Sequence, residues 1–116
     1  MSKRKITNSL NVKFEPFDNY GVSIAGMSWH KISYNEKTGQ GSYILKMEPG
    51  SKSLSHKHIN YEEFLMLDGE LIDSDGKIFK KGNFITFEPG SSHYSCTKTG
   101  CLLLVFQRAR NELLKK

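Results

Sequence analysis

Residues 49–70 read PGSKSLSHKHINYEEFLMLDGE, and residues 82–93 read GNFITFEPGSSH. These two stretches hold three of the chain's four histidines, His56, His58 and His93, together with Glu62. Three imidazoles and a carboxylate form a donor set suited to a divalent transition metal ion. The residues around them are β-formers bounded by turn residues. Side chains of an extended chain alternate between faces. His56, His58 and Glu62 therefore share a face with Phe64 and Met66, and Glu63, Leu65 and Leu67 take the other. By this alternation Glu62, not Glu63, belongs with the histidines. Two histidines and a glutamate turned inward are costly unless something binds them.

The rest of the chain has the same character. Short aromatic and β-branched runs recur between Gly, Pro, Asn and Asp clusters. They predict strands at 12–15, 21–25, 29–34, 42–48, 54–58, 61–67, 70–73, 77–80, 84–87, 92–96 and 101–107. Asp68-Gly69 and Asp75-Gly76 are read as tight turns, and Asn35 to Gly39 as an exposed loop. Only 108–114 has helical character, and it is short. Many short strands at this spacing predict an all-β sandwich or barrel.

With 116 residues the chain is read as one domain, 1–116, with a basic, flexible segment at 1–10. The longest apolar run, Cys101 to Phe106, is too short to span a bilayer. The first residues lack the apolar core of a signal peptide, which makes the cytoplasm the default location. The net charge of +5 comes from the two ends: residues 6–107 carry ten lysines against eleven acidic residues. A nucleic-acid binder concentrates basic charge on the fold itself, so nucleic acid is not expected as a partner. Cys96 and Cys101 flank Thr-Lys-Thr-Gly, a spacing that suits a hairpin. They are read as small apolar strand-end residues rather than a disulfide. His30, outside both stretches, is read as an ordinary surface or core histidine.

The two stretches together resemble the paired motifs of the cupin superfamily. The first motif, G-x5-H-x-H-x3/4-E-x6-G, is met by Gly50, His56, His58, Glu62 and Gly69 with every gap in place. The second, G-x5-P-x-G-x2-H-x3-N, is met at Gly82, Gly90 and His93. It departs at Glu88, where the proline would stand, and at Thr97, where the asparagine would stand. The order of EEFLMLDGELIDSDG, EPGSSH and GCLLLVF is similar to the ChrR-like cupins, firmly from Pro49 to Phe106. The resemblance implies a double-stranded β-helix, or jelly-roll barrel. It implies His56, His58, Glu62 and His93 as ligands of a divalent transition metal such as Fe, Zn, Ni or Mn, with up to two positions left open.

The resemblance further implies two kinds of function. Members of the ChrR-like group include dioxygenases that cleave carbon–carbon bonds of β-dicarbonyl or hydroxyaryl-ketone compounds. In such an enzyme Glu62 would be a labile ligand or a base. Tyr43, Phe64, Met66, Phe84 and Tyr94 are the candidate substrate-pocket residues, and ordinary barrel core is the other reading of them. No arginine lies within 6–107, so the ligand is expected to be small and neutral or weakly acidic, with Lys46 or Lys57 as the available point charges. The alternative is a non-catalytic metal-holding sensor or ligand-binding module. A closed four-ligand Zn site without chemistry is the plainest reading of the set. A homodimer is expected by the same resemblance.

Overall fold

The computed structural model describes residues 3–114. Its strands are β1 (Glu15–Pro16), β2 (Met27–Tyr34), β3 (Gly41–Met47), β4 (His56–Lys57), β5 (Glu62–Asp73), β6 (Ile78–Lys80), β7 (Phe84–Phe87), β8 (Ser92–His93), β9 (Ser95–Cys96), β10 (Cys101–Gln107) and β11 (Glu112–Leu113). All pairings are antiparallel. An eight-stranded sheet runs β1-β2-β3-β10-β5-β6, with β7 and β9 also on β5; β11-β4-β8 forms a second sheet. The long sheet curls, as the twist of a jelly roll requires, and the small sheet carries His56 and His93. Among the described residues no helix is long and apolar enough to cross a membrane.

Alternation builds the core. In β10, Cys101, Leu103 and Val105 are buried, and the residues between them are less so. They meet Tyr43, Leu45 and Met47 of β3 on one side and Phe64 and Met66 of β5 on the other. An aromatic group closes one end. The Phe17 ring lies edge-on to Trp29 at 4.7 Å, and Trp29 edge-on to Tyr43 at 5.1 Å. Such contacts add to the large area each ring removes from water.

Three expectations are corrected here. The stretch 21–25 forms turns rather than a strand, and 12–15 contributes only its last residue. Residues 108–114 contain no helix. They run as an extended segment whose β11 pairs with β4, because Arg110 is tied down: its backbone N–H donates to the Thr38 carbonyl at 3.0 Å and its guanidinium to the Glu36 carbonyl at 2.6 Å. Asp68-Gly69 is not a turn. The predicted strands 61–67 and 70–73 are one strand, β5, interrupted by a bulge. Leu102 faces Asp68 and Leu103 faces Met66, which leaves Leu67 without a partner on β10. Gly69 sits at φ +72, and a Cβ there would lie 2.0 Å from the Gly100 carbonyl oxygen, so only glycine fits. The Asp75-Gly76 turn and the Asn35 to Gly39 loop are present as expected.

The bulge inverts the faces of β5. Before it, Glu62, Phe64 and Met66 point inward; after it, Leu71 is buried and Asp73 turns in as well. Beyond the bulge β5 pairs with β6 and β9, with Asp73 opposite Ser95.

Candidate metal centre

The short strands β4 and β8 place His56 directly across from His93. Their ring centroids lie 4.6 Å apart, and His58 stands 5.1 Å from His56 and 4.9 Å from His93. One nitrogen from each of the three rings falls within 4.8 Å of the others. Phe87 backs the group, stacked on His58 at 4.8 Å and 12° and lying 4.2 Å from His93.

The outer nitrogens are all committed. His56 Nδ1 donates to the Leu54 carbonyl at 2.8 Å. His93 Nδ1 donates to the Asp73 carboxylate at 2.6 Å. His58 Nδ1 lies 2.9 Å from Ser91 Oγ, and that hydroxyl already donates its proton to the Glu88 carbonyl. The serine oxygen therefore accepts, and His58 donates. With the proton of each ring fixed on Nδ1, the Nε2 lone pairs are left for the interior. Metal-ligating histidines are oriented in this way.

Glu62 adjoins the group through His58. Its Oε1 lies 3.1 Å from His58 Nε2 and accepts a hydrogen bond from Asn111 Nδ2 at 2.7 Å. His58 is 0% exposed, yet its Nε2 makes no aligned hydrogen bond. A buried lone pair facing a carboxylate oxygen is repulsive unless a cation lies between them. Two ligands bonded at about 2.1 Å on adjacent positions of an octahedral ion sit about 3 Å apart. The donor set therefore fits a divalent metal.

Electrostatics favour a neutral His56 and an ionised Glu62. Burial pushes the His56 imidazolium below the usual histidine range, with Glu62 opposing it in part. Burial alone would raise the Glu62 carboxyl, but positive charge on the His58 and His56 side, together with the Asn111 amide, brings it below the usual carboxylate value. Burial raises the Tyr20 phenol, with the Glu62 charge adding to it, so Tyr20 keeps its proton.

A cavity of about 50 Å³ opens beside the group. His56, His93, Glu62, Asn111 and Tyr20 form its polar end, and Phe64, Tyr43, Leu103 and Val105 part of its apolar wall. Of the predicted pocket residues, Tyr43 and Phe64 line this cavity. Met66 is core outside it, and Phe84 and Tyr94 are 54% and 37% exposed. Phe84 sits on the outward face of β7 beside Phe106, whereas Ile85 and Phe87 point in. Tyr94 lies between two inward residues, His93 and Ser95, and so faces out under the Lys52 ammonium. Lys46 and Lys57 are exposed and do not line the cavity; Lys46 faces Glu48. Glu63 faces away from the group and accepts a hydrogen bond from Thr86 Oγ1 at 2.8 Å. His30 contacts the Lys13 carbonyl, apart from the group. Cys96 and Cys101 are free thiols, half-buried and buried, and burial pushes Cys101 up to about 11.

Sequence reasoning missed Asp73, Asn111, Ser91 and Tyr20. Asp73 has the wrong parity relative to Glu62 until the bulge is known. Asn111 falls in the stretch read as helical. Tyr20 lies in a turn of the N-terminal region, where no motif points. Ser91 alone carried a signal, as the residue after Pro-Gly in the second motif.

The ChrR cupin-like domain family matches over residues 3–111. A search of curated protein sequences finds no match. An acetylacetone dioxygenase from Acinetobacter johnsonii is similar in structure, with TM-score 0.77 and 16% identity over 100% of this chain and 85% of that one. The polyketide cyclase RemF from Streptomyces resistomycificus is similar at TM-score 0.74 and 18% identity, over 97% and 87%. The anti-sigma ChrR of Rhodobacter sphaeroides, solved in complex with SigE, is similar at TM-score 0.65 and 17% identity, over 84% of this chain and 49% of that one. At these identities the likeness is one of fold.

Proposed function

The chain belongs to the ChrR cupin-like domain family, and we propose that it holds a divalent transition metal on His56, His58, His93 and Glu62 and offers it to a small neutral or weakly acidic organic molecule. One observation carries this reading. All three histidines spend their Nδ1 protons on outward acceptors, which leaves a fully buried His58 Nε2 facing Glu62 with nothing to bond. Iron, zinc, nickel and manganese all accept such a set. When bound, the ion would act as a Lewis acid and, if it is Fe(II), as a meeting point for substrate oxygen and O2.

The chain's own residues then divide the remaining work. Phe64, Tyr43, Leu103 and Val105 keep water from the apolar end of the cavity. Asn111 holds Glu62 by one oxygen, and the carboxylate, kept ionised mainly by positive charge on the histidine side, can take a proton from a weakly acidic ligand. Tyr20, kept as a phenol, is a hydrogen-bond donor at the polar end. Among the described residues no lysine or arginine lines the cavity, which disfavours phosphates and strong acids. At about 50 Å³ it admits a compact ligand unless side chains move.

Within this reading, oxidative cleavage of a dicarbonyl-like or hydroxyaryl-ketone-like compound is the activity we favour. Its support is the apolar, cation-free cavity and the presence of an acetylacetone dioxygenase among the similar folds. The test is metal analysis of protein purified without chelators, followed by oxygen uptake on the iron-loaded protein with a panel of β-diketones and hydroxyaryl ketones. Absence of stoichiometric metal removes the common premise; a flat oxygen trace across the panel removes the dioxygenase. The small cavity favours a second reading, a metal-holding sensor module. Zinc found four-coordinate by X-ray absorption, with no oxygen uptake, selects it.

A further inference from the structure

The three histidines are not held alike. His56 and His58 give their Nδ1 protons to neutral oxygens, a backbone carbonyl and a serine hydroxyl, whereas His93 gives its proton to a carboxylate. We propose that Asp73 is a positioning residue of the metal centre, which fixes the tautomer and angle of His93 and supplies the site's second negative charge. The proposal rests on the metal-binding reading above.

Four observations support it. The His93 Nδ1 to Asp73 Oδ1 distance is 2.6 Å, at the short end for a charge-assisted bond. Both side chains are nearly buried, at 8% and 9% exposed, so the pair is little screened. Ser95 Oγ donates weakly to the same oxygen at 3.4 Å, and Ser95 lies directly across from Asp73 in the β5–β9 pairing. Finally, the fold accommodates this aspartate by a specific irregularity. Without the bulge at Leu67 to Gly69, Asp73 would share the outward face with Glu63.

The charges give the arrangement its purpose. Three neutral imidazoles and Glu62 leave a bound dication with one uncompensated positive charge in a low-dielectric interior. Asp73 removes it without occupying a coordination position, which keeps the open side of the centre free. A hydrogen-bonded carboxylate also makes the opposite ring nitrogen a stronger donor, so His93 becomes the strongest of the three imidazole ligands.

The test uses the full chain, with Zn2+ as the probe, titrated against a chromophoric chelator. Asp73→Ala is expected to weaken Zn2+ binding by about 10- to 100-fold, the range for removing such a partner. Asp73→Asn keeps the shape and one acceptor while losing the charge, and is expected to weaken binding by about 10-fold. It also serves if the alanine variant does not fold. In metal-free protein, 15N imidazole NMR reads the pairing directly: His93 is expected as the Nδ1–H tautomer in wild type and as a mixture in Asp73→Ala. Zn2+ affinities within twofold of wild type for the folded variants would overturn the proposal, as would an unchanged His93 tautomer. Wild-type protein that binds no Zn2+ removes the metal reading instead, and the tautomer measurement then still decides the Asp73–His93 contact.

Discussion

The two sheets are built on different terms. The long sheet has continuous ladders: β10 pairs with β3 and with β5 along its whole length, and its inner face is packed with side chains that are almost fully buried. The small sheet has three strands of two residues each, yet it carries His56 and His93. Two-residue strands cannot hold a metal centre rigid by backbone pairing alone. The histidines are instead fixed from the side, His56 by Leu54, His93 by Asp73 and the adjoining His58 by Ser91, with Phe87 backing His58 and His93. Stability thus rests on the core of the long sheet, whereas the ligand geometry draws on both sheets, with His56 and His93 on the small one and Glu62 and Asp73 at the two ends of β5.

The largest expected effect tests the long sheet. Trp29→Ala, which empties the centre of the aromatic cluster, should cost about 3–5 kcal/mol in chemical denaturation. It should leave metal stoichiometry per folded molecule unchanged; loss of metal in folded protein would show that the core and the metal centre are not independent. Next comes the metal itself. At a hundredfold excess over its Kd, a ligand that binds only the native state adds about 2.7 kcal/mol. Hydrogen exchange should place the gain in protection in β4, β8, β11 and the first residues of β5, and EDTA should remove it. Uniform protection across both sheets would break the contrast. Gly69→Ala is expected to cost more than about 1–2 kcal/mol, the cost of its positive φ alone, because the added Cβ meets the Gly100 backbone. It should also lower Zn2+ affinity, because the bulge aims Asp73. The smallest effect is Glu63→Gln, within about 0.5 kcal/mol of wild type and neutral for metal. Glu62→Gln should weaken metal binding clearly, and equal behaviour of the two glutamates would contradict the inward placement of Glu62.

What could be read in advance depended on strict alternation. The histidine pair, the preference for Glu62 over Glu63 and the all-β class all follow from a period of two and a few turn residues. The same rule, applied next to His93, would have excluded Tyr94, whose aromatic character outweighed its parity. Phe84 misled for a related reason: large apolar residues also stand on the outer faces of sheets, and composition does not tell which. The bulge was illegible because Asp-Gly is also a turn signal, and only the pairing partner decides between them. Asn111 and Tyr20 reach the site through long-range packing of a terminal segment and an early turn, for which local sequence holds no period.

The bulge has a further consequence, for how this protein tolerates changes of length. β5 runs in one phase up to Met66 and in the opposite phase from Leu71, so its two ends serve the same interior from opposite counting frames. A single residue inserted between Gly69 and Asp73 would leave every residue of both motifs intact. It would still turn the carboxylate out to solvent and leave His93 without its anchor. Sequences that keep both motifs can therefore differ in the quality of their centre by a change that motif matching does not register.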